Sequence, residues 1–254
     1  MFAKERQEKI NSVIKQNGSV TTMELVERFG VSTETIRRDL QEMEKNRLLQ
    51  RVHGGAIAIG EMKPFMELSV RLKEHDVQKK ELAKTAADLL ENGDVIGIDA
   101  GSTALCFAHA LKERLVNLTV VTYSLDVFQC LNGFAEFQVI LCGGHFFSQE
   151  KCFYGPLTQD MLKRLHVQKS FIFPSAVSMQ YGICDHVQEV LDLQRQLIDC
   201  SDSVYVLADS SKFERKELLK ISDMQKNFTY VTDGMLRSGL ATVYKENQYS
   251  IHFK

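Results

Sequence analysis

The sequence predicts an α/β protein in two unequal parts: a helical module over residues 1–60 closed by a hairpin, then a larger domain in which strands and helices alternate. Three observations predict it. Apolar residues recur at helical spacing three times before residue 45, Gly54-Gly55 separates two short β-prone runs, and beyond residue 80 short apolar runs alternate with helical stretches. The 254 residues, 44% hydrophobic and 25% charged, exclude collagen-like, disordered and low-complexity chains. No run approaches the roughly 20 apolar residues that span a bilayer. The opening MFAKERQEKINS carries no apolar signal core, so no membrane partner and a cytoplasmic location are expected.

The first helix is predicted from Ile10, Val13 and Ile14, with Asn17-Gly18 as its stop. Thr21 and Glu24 have the spacing of a capping box, opening a short helix that turns Leu25, Val26 and Phe29 inward and ends at Gly30. Ser32 is a natural cap for a third helix, whose buried stripe is Ile36, Leu40 and Met43. Its opposite ridge carries Glu34, Arg37, Arg38 and Gln41. Two helices joined at Gly30-Val31-Ser32 have helix-turn-helix spacing, and the second helix of that motif enters the DNA major groove. Arginine suits guanine edges and phosphates, and glutamine suits adenine. Ser32, Thr33 and Thr35 stand at the helix start, where hydroxyls and unpaired N–H groups can hold a phosphate. The run LLQRVHGGAIAIG then reads as a hairpin about His53-Gly54-Gly55, the wing of a winged helix, with Arg51 and His53 near its tip.

An Arg-Arg pair alone is most often a solvated face, and Glu34, Asp39, Glu42 and Glu44 dilute its field. The ordered set of capped helix, turn, basic ridge and Gly-Gly hairpin favours double-stranded DNA as partner. Net charge is −2, but it divides unevenly. Residues 1–60 hold ten Lys/Arg against eight Asp/Glu, and the remainder hold twenty-one against twenty-five. A module at +2 ahead of a domain at −4 would present one end to DNA.

Residues 61–80 are charged, contain Pro64, and read as a linker entering a helix. Next, LAKTAADLLENG and EVLDLQRQLIDC read as helices. DVIGID, LTVVTYS, FQVILCGG, KSFIFPSA, SVYVLADS and FTYVTD read as strands, an order that predicts a parallel sheet between helices. The expected units are a winged helix-turn-helix at 3–58 (helix-turn-helix about 20–39), a linker at 59–75, an α/β domain at 76–233 and an extension at 234–254. Ligands in such sheets bind at carboxyl strand ends. Four such ends are polar: Ala100-Gly101-Ser102-Thr103, Tyr123-Ser124, Gly143-Gly144 and Asp209-Ser210-Ser211-Lys212. Serine before a helix is usually only a cap, but four together predict a small polar ligand. The Gly-Ser-Thr turn with Lys212 favours phosphate, with Asp99 accepting from sugar hydroxyls or from the loop's own N–H groups.

No hydrolase elbow, Walker loop or dinucleotide fingerprint occurs, and the seven histidines lack metal-ligand spacing, so no catalytic residue, metal or cofactor is expected. Asp99, Asp209 and Lys212 could form an acid/base set if they converged. The six cysteines have no C-x-x-C spacing and read as buried, reduced thiols.

VSTETIRRDLQEMEKNRLLQRVHGGA resembles the signature of DeoR-type bacterial transcriptional regulators, and GDVIGIDAGST, TYS, LCGG and DSSKF follow in that family's order, so the resemblance spans about residues 3–232. It implies a winged helix with DNA contacts at Thr35, Arg37, Arg38, Arg51 and His53. It also implies a sensor domain similar to ribose-5-phosphate isomerase and coenzyme-A transferase folds. A phosphorylated sugar would bind there at Gly101, Ser102, Thr103, Ser124, Gly144 and Lys212, with Asp99 nearby. The implied protein is a homodimer or homotetramer that represses a carbohydrate-utilisation operon. Two alternatives stay open: a phosphosugar isomerase- or transferase-like enzyme, and a regulator with no small-molecule effector. The second is kept open by Pro174-Ser175-Ala176-Val177, which stands where the family has a glycine-rich turn.

Overall fold

The computed structural model describes residues 2–17, 19–52, 54–57, 66–114 and 117–253. The N-terminal module consists of α1 (Ala3–Asn17), β1 (Ser19–Thr21), α2 (Thr22–Phe29), α3 (Thr33–Lys45), β2 (Gln50–Val52) and β3 (Gly55–Ile57). Ile10, Ile14, Leu25, Ile36, Leu40 and Met43 are buried in one cluster, as helical periodicity requires. The hairpin β2–β3 gains a third antiparallel strand, β1, on the far side of β3. Asp39 is buried inside α3 because Arg6 of α1 reaches it bidentately, Nε to Oδ2 at 2.5 Å and the second nitrogen to Oδ1 at 3.1 Å. That pair clamps α1 to α3.

The second module begins with α4 (Leu68–Arg71) and α5 (Asp76–Ala87). It continues through β4 (Val95–Ile98), α6 (Ser102–Lys112), β5 (Leu118–Thr122), α7 (Leu125–Leu131) and β6 (Phe137–Leu141). A hairpin, β7 (His145–Phe147) and β8 (Cys152–Tyr154), precedes α8 (Pro156–Lys163) and β9 (Val167–Ile172). Then come β10 (Ala176–Ser178), β11 (Gly182–Asp185), α9 (Gln188–Asp199), β12 (Ser201–Leu207) and a 3₁₀ turn at Ser210–Lys212. The chain closes with β13 (Leu219–Ser222), β14 (Thr229–Val231), α10 (Ser238–Glu246) and β15 (Ser250–His252).

Seven of these strands form one parallel sheet in the order β15-β14-β12-β9-β4-β5-β6. Alternate residues feed opposite faces. Phe171 of β9 packs with Leu82, Phe107 and Val120 beneath α5 and α6. Ile172, the next residue, joins Leu193, Val206 and Tyr244 beneath α9 and α10. The α/β expectation and all six predicted strands hold. The structure adds the β7–β8 hairpin, the small antiparallel sheet β10-β11-β13 and the α10–β15 unit built from the expected extension. No helix among the described residues is long and apolar enough to cross a membrane.

The β7–β8 hairpin positions the site by exclusion. Phe153 donates its N–H to Tyr123 O at 2.8 Å and Leu125 donates to Lys151 O at 2.9 Å, so the hairpin lies across the carboxyl end of β5. The open strand ends are those of β4, β9 and β12.

Candidate functional site

Two surfaces carry chemistry. The first is the turn between α2 and α3. Thr21 and Glu24 exchange caps, with Glu24 N–H donating to Thr21 Oγ1 at 3.1 Å and Thr21 N–H to Glu24 Oε2 at 2.7 Å. Gly30 ends α2 in the left-handed region at φ 64°. Ser32 caps α3, accepting from Thr35 N–H at 3.2 Å. With Ile36, Leu40 and Met43 buried, Glu34, Arg37, Arg38 and Gln41 must lie outward, and all four are exposed. Ser32 and Thr33 are exposed beside them and Thr35 is half-buried. Arg51 of β2 is exposed, its backbone N–H fixed to Glu44 Oε1 of α3 at 2.8 Å. His53 lies outside the described residues. The arrangement offers cations, hydroxyls and a helix N-terminus on one side of the module, the chemistry of phosphate and base-edge contact.

The second surface is a cavity of about 870 Å³, its open mouth included, at the carboxyl ends of β4, β9 and β12. Gly101, Ser102, Thr103 and Lys212 line it. Gly101 sits at φ 112°, where a side chain would be strained, and delivers the chain into the N-terminus of α6. The Arg71 guanidinium stands 4.0 Å from where a Cβ on Gly101 would lie. Lys79 is buried and donates to Arg71 O and to Glu74 O, the latter at 2.7 Å. Burial pushes its pKa down to about 8, and the Lys212 charge acts in the same direction. Lys212 donates to Pro174 O at 2.8 Å. Burial alone would raise the Asp209 carboxyl, but Lys212 and the Ser211 hydroxyl outweigh it and hold the pKa below its ordinary value. Thr103 Oγ1 and Asp209 Oδ2 are buried with no hydrogen-bond partner among the described residues. Such buried polar atoms are costly unless something fills the site.

The remaining polar lining is neutral to acidic. Ser175 Oγ donates to Asp185 Oδ1 at 3.0 Å and lies 2.6 Å from His186 Nδ1. Burial lowers the His186 pKa, Asp185 opposes the shift, and Arg71 and Lys212 reinforce it. Glu150 closes one side, paired with Arg71.

Three expected contacts lie elsewhere. Asp99 is 1% exposed, and its oxygens are taken by Tyr123 OH, Ala100 N–H at 2.6 Å, Phe173 N–H at 3.0 Å and Gln194 Nε2 at 3.1 Å. Burial raises its pKa to about 6 despite those donors. It braces the loop and does not line the cavity. Ser124 is buried as the cap of α7, accepting from Val127 N–H at 3.3 Å beneath the β7–β8 hairpin. Gly144 is a packing position, where a Cβ would collide with Thr158 Oγ1. Asp99 lies outside the cavity lining while Asp209 and Lys212 line it, so the three do not form an acid/base set. Four cysteines are buried and two half-buried, all as free thiols. No metal-holding cluster of His, Cys, Asp and Glu occurs among the described residues.

A winged helix-turn-helix joined to an α/β domain of parallel strands is the architecture of a DNA-binding transcriptional regulator. Residues 6–61 match the model of the DeoR-like helix-turn-helix domain, and residues 74–234 match the DeoR C terminal sensor domain. An HTH-type transcriptional regulator of Bacillus subtilis, YulB, is 34% identical over 93% of this chain and 91% of its own. The L-fucose operon activator of Haemophilus influenzae is 33% identical, covering 92% and 94%. The glycerol-3-phosphate regulon repressor of Escherichia coli is 31% identical, covering 90% of each. This chain belongs to the DeoR family of DNA-binding transcriptional regulators. Among solved structures, ribose 5 phosphate isomerase A of Neisseria gonorrhoeae aligns at a TM-score of 0.42 and 16% identity, over 54% of this chain and 53% of that one.

Proposed function

We propose that the protein is a cytoplasmic, non-catalytic repressor of a carbohydrate-utilisation operon whose sensor pocket binds a phosphorylated sugar. The carrying observation is the pocket's polarity. Arg71, Lys79 and Lys212 line the pocket together with the α6 N-terminus, and Ser175, Asp185 and His186 add donors and acceptors to the same lining. The cations and the helix N-terminus suit a phosphate, and the donors and acceptors suit a row of hydroxyls. Gly101, Ser102, Thr103 and Lys212 would hold the phosphate directly, and Asp99 would hold the loop in shape. The named relatives govern fucose and glycerol-3-phosphate genes, which supports a carbohydrate operon.

Ser32, Thr33 and Thr35 would fix α3 on the DNA backbone. Arg37, Arg38 and Gln41 would reach base edges or phosphates, and Arg51 with His53 would reach from the wing. One winged helix contacts too little DNA for useful specificity, so a homodimer or homotetramer on repeated half-sites follows.

A thermal-shift panel of sugar phosphates tests the sensor. A ligand at 100 times its Kd adds roughly 2.7 kcal/mol of stability. A member of the panel is expected to raise Tm in the wild type and to lose that effect in Lys212→Ala. No shift with any member would favour a regulator without an effector, and turnover of a phosphosugar would favour the enzyme reading.

A further inference from the structure

The helix α10 lies between the two modules, packed against β1. Its buried face carries Leu240, Ala241, Val243 and Tyr244, while Thr242 and Glu246, four residues apart, are exposed on another side. That side forms a groove with the winged helix. Thr33, Arg37, Arg51 and Gly54 line one wall, and Thr242 and Glu246 line the other. The fit at Gly54 is close, since a Cβ there would collide with the Glu246 carboxylate. A carboxylate therefore shares a groove with the start of α3 and with two arginines of the DNA-contacting face.

The helix is tied from behind. The Tyr244 hydroxyl donates to Glu214, and its ring meets Phe213 edge-on at 5.5 Å. Phe213 and Glu214 directly follow Lys212 of the sensor pocket. Glu214 is itself fixed, its N–H donating to Val177 O at 2.7 Å and its carboxylate accepting from Ser178 Oγ at 3.2 Å. The position of α10 is thus set by the loop that bears a pocket cation.

We propose that Glu246 is an internal competitor for the DNA backbone: α10 lays its carboxylate in the groove where a phosphate would meet Thr33, Arg37 and Arg51. Backbone contact by such residues is electrostatic and independent of sequence. A carboxylate in that groove offers the same charge and acceptor oxygens as a phosphate, and it must be displaced before the DNA can settle. The inference rests on the DNA-contacting role of α3 and the wing.

The test uses the full-length protein and a labelled 40-base-pair duplex of mixed sequence, which reads backbone contact alone. Glu246→Gln is expected to bind at least about threefold more tightly than wild type at 50 mM salt. The slope of log affinity against log salt should steepen by about 0.9, the value of one further neutralised phosphate. Glu91→Gln removes the same charge from outside the groove and is expected to track wild type. Glu246→Gln behaving like Glu91→Gln overturns the inference while the DNA-contact reading stands. Wild-type protein that fails to bind the duplex at low salt overturns both. Glu246 is exposed, so its replacement leaves the fold intact, and an unchanged melting curve verifies this.

Discussion

The α3 ridge and the strand-end pocket both present cations, and they hold them in opposite ways. Arg37 and Arg38 stand in solvent on a helix anchored from its other side. In the pocket Lys79 is buried against two carbonyls, Arg71 is paired with Glu150, and Lys212 is tied to Pro174 O. An exposed cation keeps its water and counterions and gains most when a polyanion releases many counterions at once. A cation already desolvated and fixed in place needs little reorganisation to meet one small anion. The ridge suits a long charged backbone, and the pocket suits a single charged group of defined shape.

The comparison can be broken first at its support. Asp39 lies on the buried side of the same helix, and Asp39→Ala removes the carboxylate held bidentately by the Arg6 guanidinium, whose side chain is 8% exposed. Losing one partner of such a pair is expected to destabilise by roughly 3–5 kcal/mol. Urea denaturation measures it, and a loss under about 1 kcal/mol would show that solvent reaches the pair. Next comes the exposed side. Replacing Arg37 and Arg38 together by alanine should weaken duplex binding by roughly 100-fold at moderate salt, with a shallower salt dependence. Stability should stay within about 0.5 kcal/mol. A weaker complex with an unaltered salt slope would move these arginines from phosphates to base edges.

The smallest effect concerns the carboxylates behind the pocket. Burial lifts Glu214 to about 7, against the hydrogen bonds from Tyr244, Met179 N–H and Ser178. A pKa higher in the folded than in the unfolded chain means that the folded state binds the extra proton. The stabilisation is complete below the ordinary value of 4.5 and is lost as pH rises through about 7. Asp99, lifted to about 6, adds to the same decline at lower pH. Melting temperature is therefore expected to fall between about pH 4.5 and 7, and Glu214→Gln should flatten that fall. A variant whose pH curve overlays the wild type would show that Glu214 keeps its charge when folded.

The DNA-contacting module was legible because its determinants are local. The capping box, Gly30, the Ser32 cap and the Ile36–Leu40–Met43 stripe each lie within one helical turn or two, and burying that stripe forces Arg37 and Arg38 outward. The pocket was legible only in part. The strand-end rule located Gly101, Ser102, Thr103 and Lys212, but it could not distinguish open ends from covered ones. Ser124 and Gly144 fail for that reason, since a hairpin of long-range pairing closes over them. Arg71 and Lys79 come from a charged stretch that reads as linker and helix; the packing of α5 beside α6 brings Lys79 to the loop, and Lys79 in turn holds the Arg71 carbonyl at the end of α4. Ser175 lies in the Pro174–Val177 stretch, and His186 follows β11 of the small antiparallel sheet. Gly182 enters β11 in the left-handed region, at φ 81°.

The last strand and helix of the chain have a consequence for the order in which the molecule is made. The residues of the winged-helix core cluster lie between Ile10 and Ala56, whereas α10 reaches β1 across more than two hundred positions and β15 pairs with β14 at residues 250–252. On the ribosome, domains fold as units from the N-terminus. The nascent chain therefore carries a finished DNA-contacting module while the sensor sheet still lacks its edge. The helix that packs against that module emerges after every strand of the seven-stranded sheet except β15.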